Sequence, residues 1–480
     1  MHFSYKKEVS ALGYSNYFLY LCSMKKTSTK HIGMSASFQA HIGTLADFSA
    51  HVRTTAQFCA YVGRCLLLAV LVVLLTACSK DDATGGQPTP PETTQRTVVV
   101  YMAGENTLSS PVYMPGENTL SSAVESDLQE MLRGRKNVSS NEQLVVFVDK
   151  ALSSEQPFIA RVTMENRLDT LYRYPADILT SDPAQMEDVL DRALQLCPAT
   201  RDYGLVLWGH ANGWVVEQDS VKRRAYGVDN GQNSSITDNG QWMNIPTLRA
   251  VLQALPVRWR FIVADCCNMM TLETAYELRH VTDYLIGSPA EIPSDGAPYD
   301  KILPDLFLQT DDFYQNIVDD YATAYPGKIP LSVVRTSELE ALAQATRQVL
   351  GRVDQSVRST QLQGCIYYYN DYNKSAGVRK HMMYDVRQVV RQALANDEAT
   401  YNAWQDALNR AVPYRRIATS WITNSAIHID FNDFRVTEDN YSGVSMFFPM
   451  EQYQTATKDY NTLIRKLAWY YAVGWADVGW

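Results

Sequence analysis

The sequence predicts an α/β fold, a mostly parallel sheet with helices on both faces. Three observations carry that expectation. Short runs rich in Val, Ile and Leu are nearly continuous in apolar residues, as strands buried on both faces require. Between them lie segments whose apolar residues recur at helical spacing. The two kinds of segment alternate along the chain, which is the pattern of a sheet covered on both sides. The 480 residues are 46% hydrophobic and 20% charged, enough apolar material for a sizeable core.

Taken in order, RTVVVYMA (96–103) reads as the first strand and AVESDLQEMLRG (123–134) as an amphipathic helix. LVVFVD (144–149) is a second strand, and FIARVTMENRLDTLYRYP (158–175) alternates like a hairpin on the flank. AQMEDVLDRALQLC (184–197) is a helix, GLVLWGH (204–210) a strand and NIPTLRAVLQAL (244–255) a helix. RFIVAD (260–265) is a strand, TLETAYELRH (271–280) a helix and DYLIGSP (283–289) a strand. A helix is expected over 301–325, a strand at IPLSVVRT (329–336) and a long helix over 337–357. The remainder, 359–480, reads as a C-terminal region packed on a sheet domain of 96–358, with YDVRQVVRQAL (384–394), GVSMFFP (443–449) and a helix-like YNTLIRKLAWYYAV (460–473).

The first 77 residues do not read as part of the fold. CLLLAVLVVLLTA (65–77) is too short for a comfortable membrane span and has the length of a signal-peptide core. It ends Leu75-Thr76-Ala77-Cys78, which resembles the lipobox of bacterial lipoproteins, with Cys78 as the lipidated residue. Ser79-Lys80-Asp81-Asp82 resembles a surface-export signal, and residues 78–95 make a lipidated linker. The expected location is the cell envelope, anchored by lipid to the outer membrane, with display at the surface a further expectation from Ser79–Asp82. Upstream, SASFQAHIGT, LADFSAHVRT and TAQFCAYVGR repeat, which suggests a start codon assigned too early. A second repeat, VYMAGENTLSS (100–110) and VYMPGENTLSS (112–122), falls where the first strand turns into the first helix; one copy is expected to loop out at the carboxyl edge of the sheet. Net charge is −9 and no long basic block follows the leader, so nucleic acid is not expected as a partner. The cysteines form neither a disulfide framework nor CxxC pairs.

Chemistry concentrates in two segments. GLVLWGHANGW (204–214) delivers His210 to the carboxyl end of a buried strand, and RFIVADCC delivers Asp265, Cys266 and Cys267 to the end of another. After the leader the only histidines are His210, His280, His381 and His428. A cysteine nucleophile needs a base within reach and surroundings that favour thiolate. Cys267 precedes the helix expected at 271–280, whose positive end is expected to lower its pKa. Consecutive strand residues face opposite ways, so Cys266 and Cys267 do not share a face, whereas Asp265 and Cys267 can. From the residues alone, two buried structural thiols and a satisfied histidine remain the alternative.

Trp208-Gly209-His210-Ala211-Asn212-Gly213-Trp214, then Asp265-Cys266-Cys267-Asn268-Met269 and SPAEIPSDGAPYD, together resemble the clostripain family of cysteine peptidases, within the caspase-like clan. The resemblance implies a caspase-like fold and a Cys267–His210 dyad. It implies an oxyanion hole from the backbone N–H groups of Ala211 and Cys267, and cleavage after Arg or Lys through pocket carboxylates at Asp265 and Asp295. Relatives are activated by cleavage in the loop that here carries Lys222, Arg223 and Arg224. The implied partners are peptides or proteins with Arg or Lys at the cut, and the membrane through the N-terminal lipid. No cofactor is required; calcium dependence occurs in the family, and no EF-hand-like run is present. Two features depart from the pattern. Ala211 replaces a glycine, and a positive φ there would be strained; the duplication at 100–122 is the other. The alternative function is an inactive surface lipoprotein that keeps the fold and binds peptides or host proteins.

Overall fold

The computed structural model describes residues 94–104, 120–150, 156–215, 226–229, 241–373, 378–422, 434–454 and 459–480. Pro90–Trp480 forms one compact unit. The leader, Cys78, most of the duplicated segment (105–119), Lys222, Arg223, Arg224 and His428 lie outside the described residues. No helix among the described residues is long and apolar enough to cross a membrane.

Nine strands form the central sheet: β1 (Thr94–Gly104), β2 (Gln143–Lys150), β3 (Phe158–Val162), β4 (Leu168–Arg173), β5 (Thr200–Trp208), β8 (Trp259–Asp265), β9 (Thr282–Gly287), β10 (Leu331–Arg335) and β13 (Tyr414–Arg416). Their order is β13-β10-β9-β8-β5-β1-β2-β3-β4. The five inner strands β2, β1, β5, β8 and β9 run parallel, and the flanks on both sides are antiparallel. The mostly parallel sheet expected from the apolar runs is thus its centre, and the hairpin over 158–175 is its β3–β4 flank. A two-stranded ribbon, β6 (Tyr226–Asp229) with β7 (Gln241–Met243), and a three-stranded sheet, β11 (Tyr367–Asn373), β12 (Val378–Asp385) and β14 (Ser445–Met446), complete the strands among the described residues.

Alternation along the inner strands splits the core into two layers. Val99, Tyr101, Leu205, Leu207, Ile262 and Ala264 face one layer, and Val98, Val100, Met102, Val206, Phe261 and Val263 face the other. This is the period-two consequence of the pleat. The second layer is covered by α1 (Leu120–Arg135) and by residues 299–325. The first is covered by α2 (Pro183–Gln195), α3 (Ile245–Ala254), α4 (Leu272–Leu278), α5 (Leu339–Thr360) and the C-terminal helices.

Two expected helices are broken. The helix expected over 301–325 is a turn at Tyr299–Ile302, a 3-10 turn at Asp305–Phe307 and a helix only over Phe313–Ala324. Pro304 lies between the first two, where its missing N–H prevents one continuous helix. The helix expected over 460–473 is divided because Leu467 is extended, with φ −106° and ψ 143°. Within GVSMFFP (443–449), Ser445–Met446 is strand. At the duplication, the first copy supplies the end of β1 and the second supplies Leu120, the first residue of α1.

Candidate active site

The site forms where β5 and β8 leave the sheet side by side. Trp208 pairs with Asp265 in parallel register. Gly209 N–H still donates to the Asp265 carbonyl at 3.4 Å. His210 and Cys267 follow these paired residues by the same offset, so neighbouring strands carry both out at the same edge. Gly209, at φ +142°, turns the chain off the strand where a Cβ would lie 3.2 Å from the Ala103 carbonyl. The His210 carbonyl then accepts from Gly227 N–H at 2.8 Å.

Backbone contacts lock the two loops together. Gly213 has φ +59°, and a Cβ there would lie 2.5 Å from the Asn268 carbonyl. Asn268 is itself left-handed, at φ +58°, and donates its N–H to the Ala290 carbonyl at 2.9 Å. Ala211 is not among the described residues with positive φ, so the strain expected from replacing glycine does not arise. It bridges Tyr226 in antiparallel fashion, extending the β6 ribbon toward the site.

The two cysteines separate as the pleat requires. Cys266 is 1% exposed and belongs to the first core layer. Cys267 is partly buried; its Sγ accepts from Ile292 N–H at 3.3 Å. Burial pushes its thiol up to about 12, with Glu291 raising it further and the Ile292 N–H opposing. The expectation that a helix end lowers this pKa is therefore corrected. α4 begins only at Leu272 and its N-cap is Thr271, so the helix dipole acts from several residues away. Desolvation beside carboxylates outweighs it. His210 titrates near 4, because burial disfavours the imidazolium, and its Nε2 is buried without a hydrogen-bond partner among the described residues. The resting pair is thus a thiol and a neutral imidazole. Among the other histidines, His280 is exposed, and the His381 ring lies against Tyr367 with centroids 3.9 Å apart.

An acidic floor lies on the Cys267 side of the strand end, opposite Cys266. Asp265 is 5% exposed. Its Oδ2 accepts from Ala297 N–H at 3.1 Å and Tyr299 OH at 2.8 Å, and its Oδ1 accepts from Tyr321 OH at 2.9 Å. Burial still raises its pKa, which those three donors oppose. Asp295 is exposed and belongs to the Pro293–Gly296 turn, closed by Gly296 N–H on the Pro293 carbonyl at 3.0 Å. At Gly296, with φ +59°, a Cβ would lie 3.0 Å from Asp265 Oδ2 and 3.5 Å from Asp127 Oδ2. Asp127, on α1, is the carboxyl that sequence reasoning missed. It is 1% exposed and accepts from Trp208 Nε1–H at 2.6 Å. Its signal was an acid on the buried stripe of an amphipathic helix, beside Val124, Leu128 and Met131. Among the described residues, no group of three or more metal-binding side chains converges.

Comparison with known proteins identifies the fold and the family. The sequence profile of the clostripain family matches residues 112–480, a match that opens with the second copy of the duplicated segment. A secreted C11 cysteine protease from Bacteroides thetaiotaomicron, solved with an irreversible peptide inhibitor, is 27% identical; the match covers 80% of this chain and 100% of that one, with a TM-score of 0.64. An inactive zymogen C11 protease from Parabacteroides distasonis is 25% identical over 80% of this chain and 99% of that one, with a TM-score of 0.63. No curated protein sequence matches the chain. The fold is that of the caspase-like C11 proteases, and the chain belongs to the clostripain family of cysteine-type peptidases.

Proposed function

We propose that this peptidase is an endopeptidase that cuts after Arg or Lys, with Cys267 as nucleophile and His210 as general base and acid. The reading is carried by one observation: the β5–β8 register sends an imidazole and a sulfur out at one sheet edge, beside a floor of carboxylates. Starting from the neutral pair, the Cys267 S–H proton passes to His210 as Sγ bonds to the scissile carbonyl carbon. The N–H groups of Ala211 and Cys267 receive the oxyanion. His210 then protonates the leaving amine, and the C–N bond breaks. It next takes a proton from the water that opens the thioester, which restores the thiol. Dyad hydrogen bonds commonly tighten only once substrate is bound, so an unpartnered Nε2 in the resting site is compatible with this role.

Asp265 and Asp295 are assigned to the pocket for the basic side chain, since a desolvated guanidinium or ammonium needs opposite charge. Lys222, Arg223 and Arg224 are the proposed self-processing sites, because an enzyme of this specificity can cut after them. Cys78 is the proposed lipid attachment, which would hold the enzyme at the cell envelope, with surface exposure following from Ser79–Asp82. No step above uses a metal. The test is turnover of matched peptides ending in Arg, Lys or neutral residues, by the processed protein under reducing conditions, beside Cys267→Ala. Basic peptides should be cleaved, and the variant should lose at least ~10³-fold. Equal inertness of both proteins would overturn the reading in favour of a fold kept only for binding.

A further inference from the structure

Asp127 occupies a position that its visible partner does not explain. An indole N–H such as that of Trp208 is satisfied by any neutral acceptor. A carboxyl here instead brings a second buried acid beside Asp265, and burying like charges together is costly. The groups facing Asp127 are Trp208 from β5, Asp265 from β8, Glu130 from its own helix, Asp295 and Tyr299 from the segment after β9, and Tyr325 after the Phe313–Ala324 helix. The charged groups acting most strongly on it are all acids. Neither Asp127 nor Asp265 forms an ion pair among the described residues, and the backbone of Gly296 lies against both carboxyls.

We propose that Asp127 is a further specificity-determining residue, which meets the substrate's guanidinium or ammonium from the α1 side and completes the charge that Asp265 and Asp295 begin. This rests on the preference for Arg or Lys set out above and deepens it. Without a cation beside it, Asp127 holds a proton up to about pH 8, owing first to burial and then to Asp265. Arrival of a cation favours the ionised form, so binding a basic side chain releases that proton. Affinity for such substrates therefore rises with pH until Asp127 is ionised without help. His210 near 4 and Cys267 near 12 do not titrate in that window, whereas the buried carboxyls of Glu273, pushed up to about 8, and Asp305, pushed up to about 7, do, so it is the Asp127→Asn variant that assigns the limb.

The experiment compares peptides that differ only in carrying Arg or citrulline, its neutral isostere, before the cut, over pH 6–9. For the wild type, kcat/KM on the Arg peptide should climb by up to ~10-fold per pH unit and level off near 8, mostly through KM, while the citrulline peptide stays flat. Asp127→Asn keeps an acceptor for Trp208; it should lose the limb and at least ~10-fold of the Arg-over-citrulline preference. Asp127→Glu should restore part of both. An Asp127→Asn protein that keeps limb and preference overturns the proposal. So does one in which both peptides lose kcat equally, which would mean that the residue only supports Trp208. A wild type with no preference for Arg or Lys at any pH would instead sink the parent reading, and this one with it.

Discussion

Asp265 and Cys266 are adjacent in sequence and lie on opposite sides of the same sheet edge. Asp265 faces the layer under α1, where it meets phenols, a backbone N–H and, across Gly296, another carboxyl. Cys266 faces the layer under α4, among apolar side chains and beside Tyr226. Strand pleating alone makes this division. One side of the edge is thereby free to concentrate negative charge, while the other ties the loops to the core. Cys267, one step further on, shares the Asp265 side, and Tyr321 senses both residues.

The comparison breaks most severely at Asp265. Asp265→Ala would strand the Tyr299 and Tyr321 hydroxyls and the Ala297 N–H without their acceptor. A loss of ~3 kcal/mol or more in a denaturant titration is expected, together with loss of selectivity for basic peptides in whatever folds. Stability within ~1 kcal/mol of wild type would mean that the three donors find other partners and that the acidic side is not organised by this carboxylate. Cys266→Ala sharpens the same contrast from the other side. It removes one buried sulfur, at an expected cost of ~1 kcal/mol, and leaves the rate on Arg peptides within about threefold. A collapse of activity in that variant, with the fold intact, would assign chemistry to the wrong side of the strand.

The sheet was legible because its inner strands are apolar on both faces, and a pattern such as Val98–Val100 admits few other fates. The hairpin flank announced itself by alternation. The helix breaks were less visible. Pro304 was a readable stop within the expected 301–325 helix, but nothing local marks Leu467 as extended. At the site, the strand-end histidine and the double cysteine were readable as a pattern, and the pleat separated the two sulfurs. The pKa of Cys267 was not readable, because burial depth and the approach of Ile292 and Glu291 come from a distant segment. Asp127 was hidden for a related reason: an acid in an amphipathic helix is ordinarily taken as solvated, and only the packing of α1 over the sheet, with Trp208 of β5 against the carboxyl, buries it.

The central claim is that one sulfur, on the acidic side of the edge, reacts. Treating the processed protein with a peptide electrophile carrying Arg at its reactive end, then mapping the adduct by mass spectrometry, tests it most directly. A single adduct on Cys267, suppressed by Cys267→Ala and by competing Arg peptide, is the predicted result. Modification of Cys266, or labelling indifferent to the Arg side chain, would contradict the account.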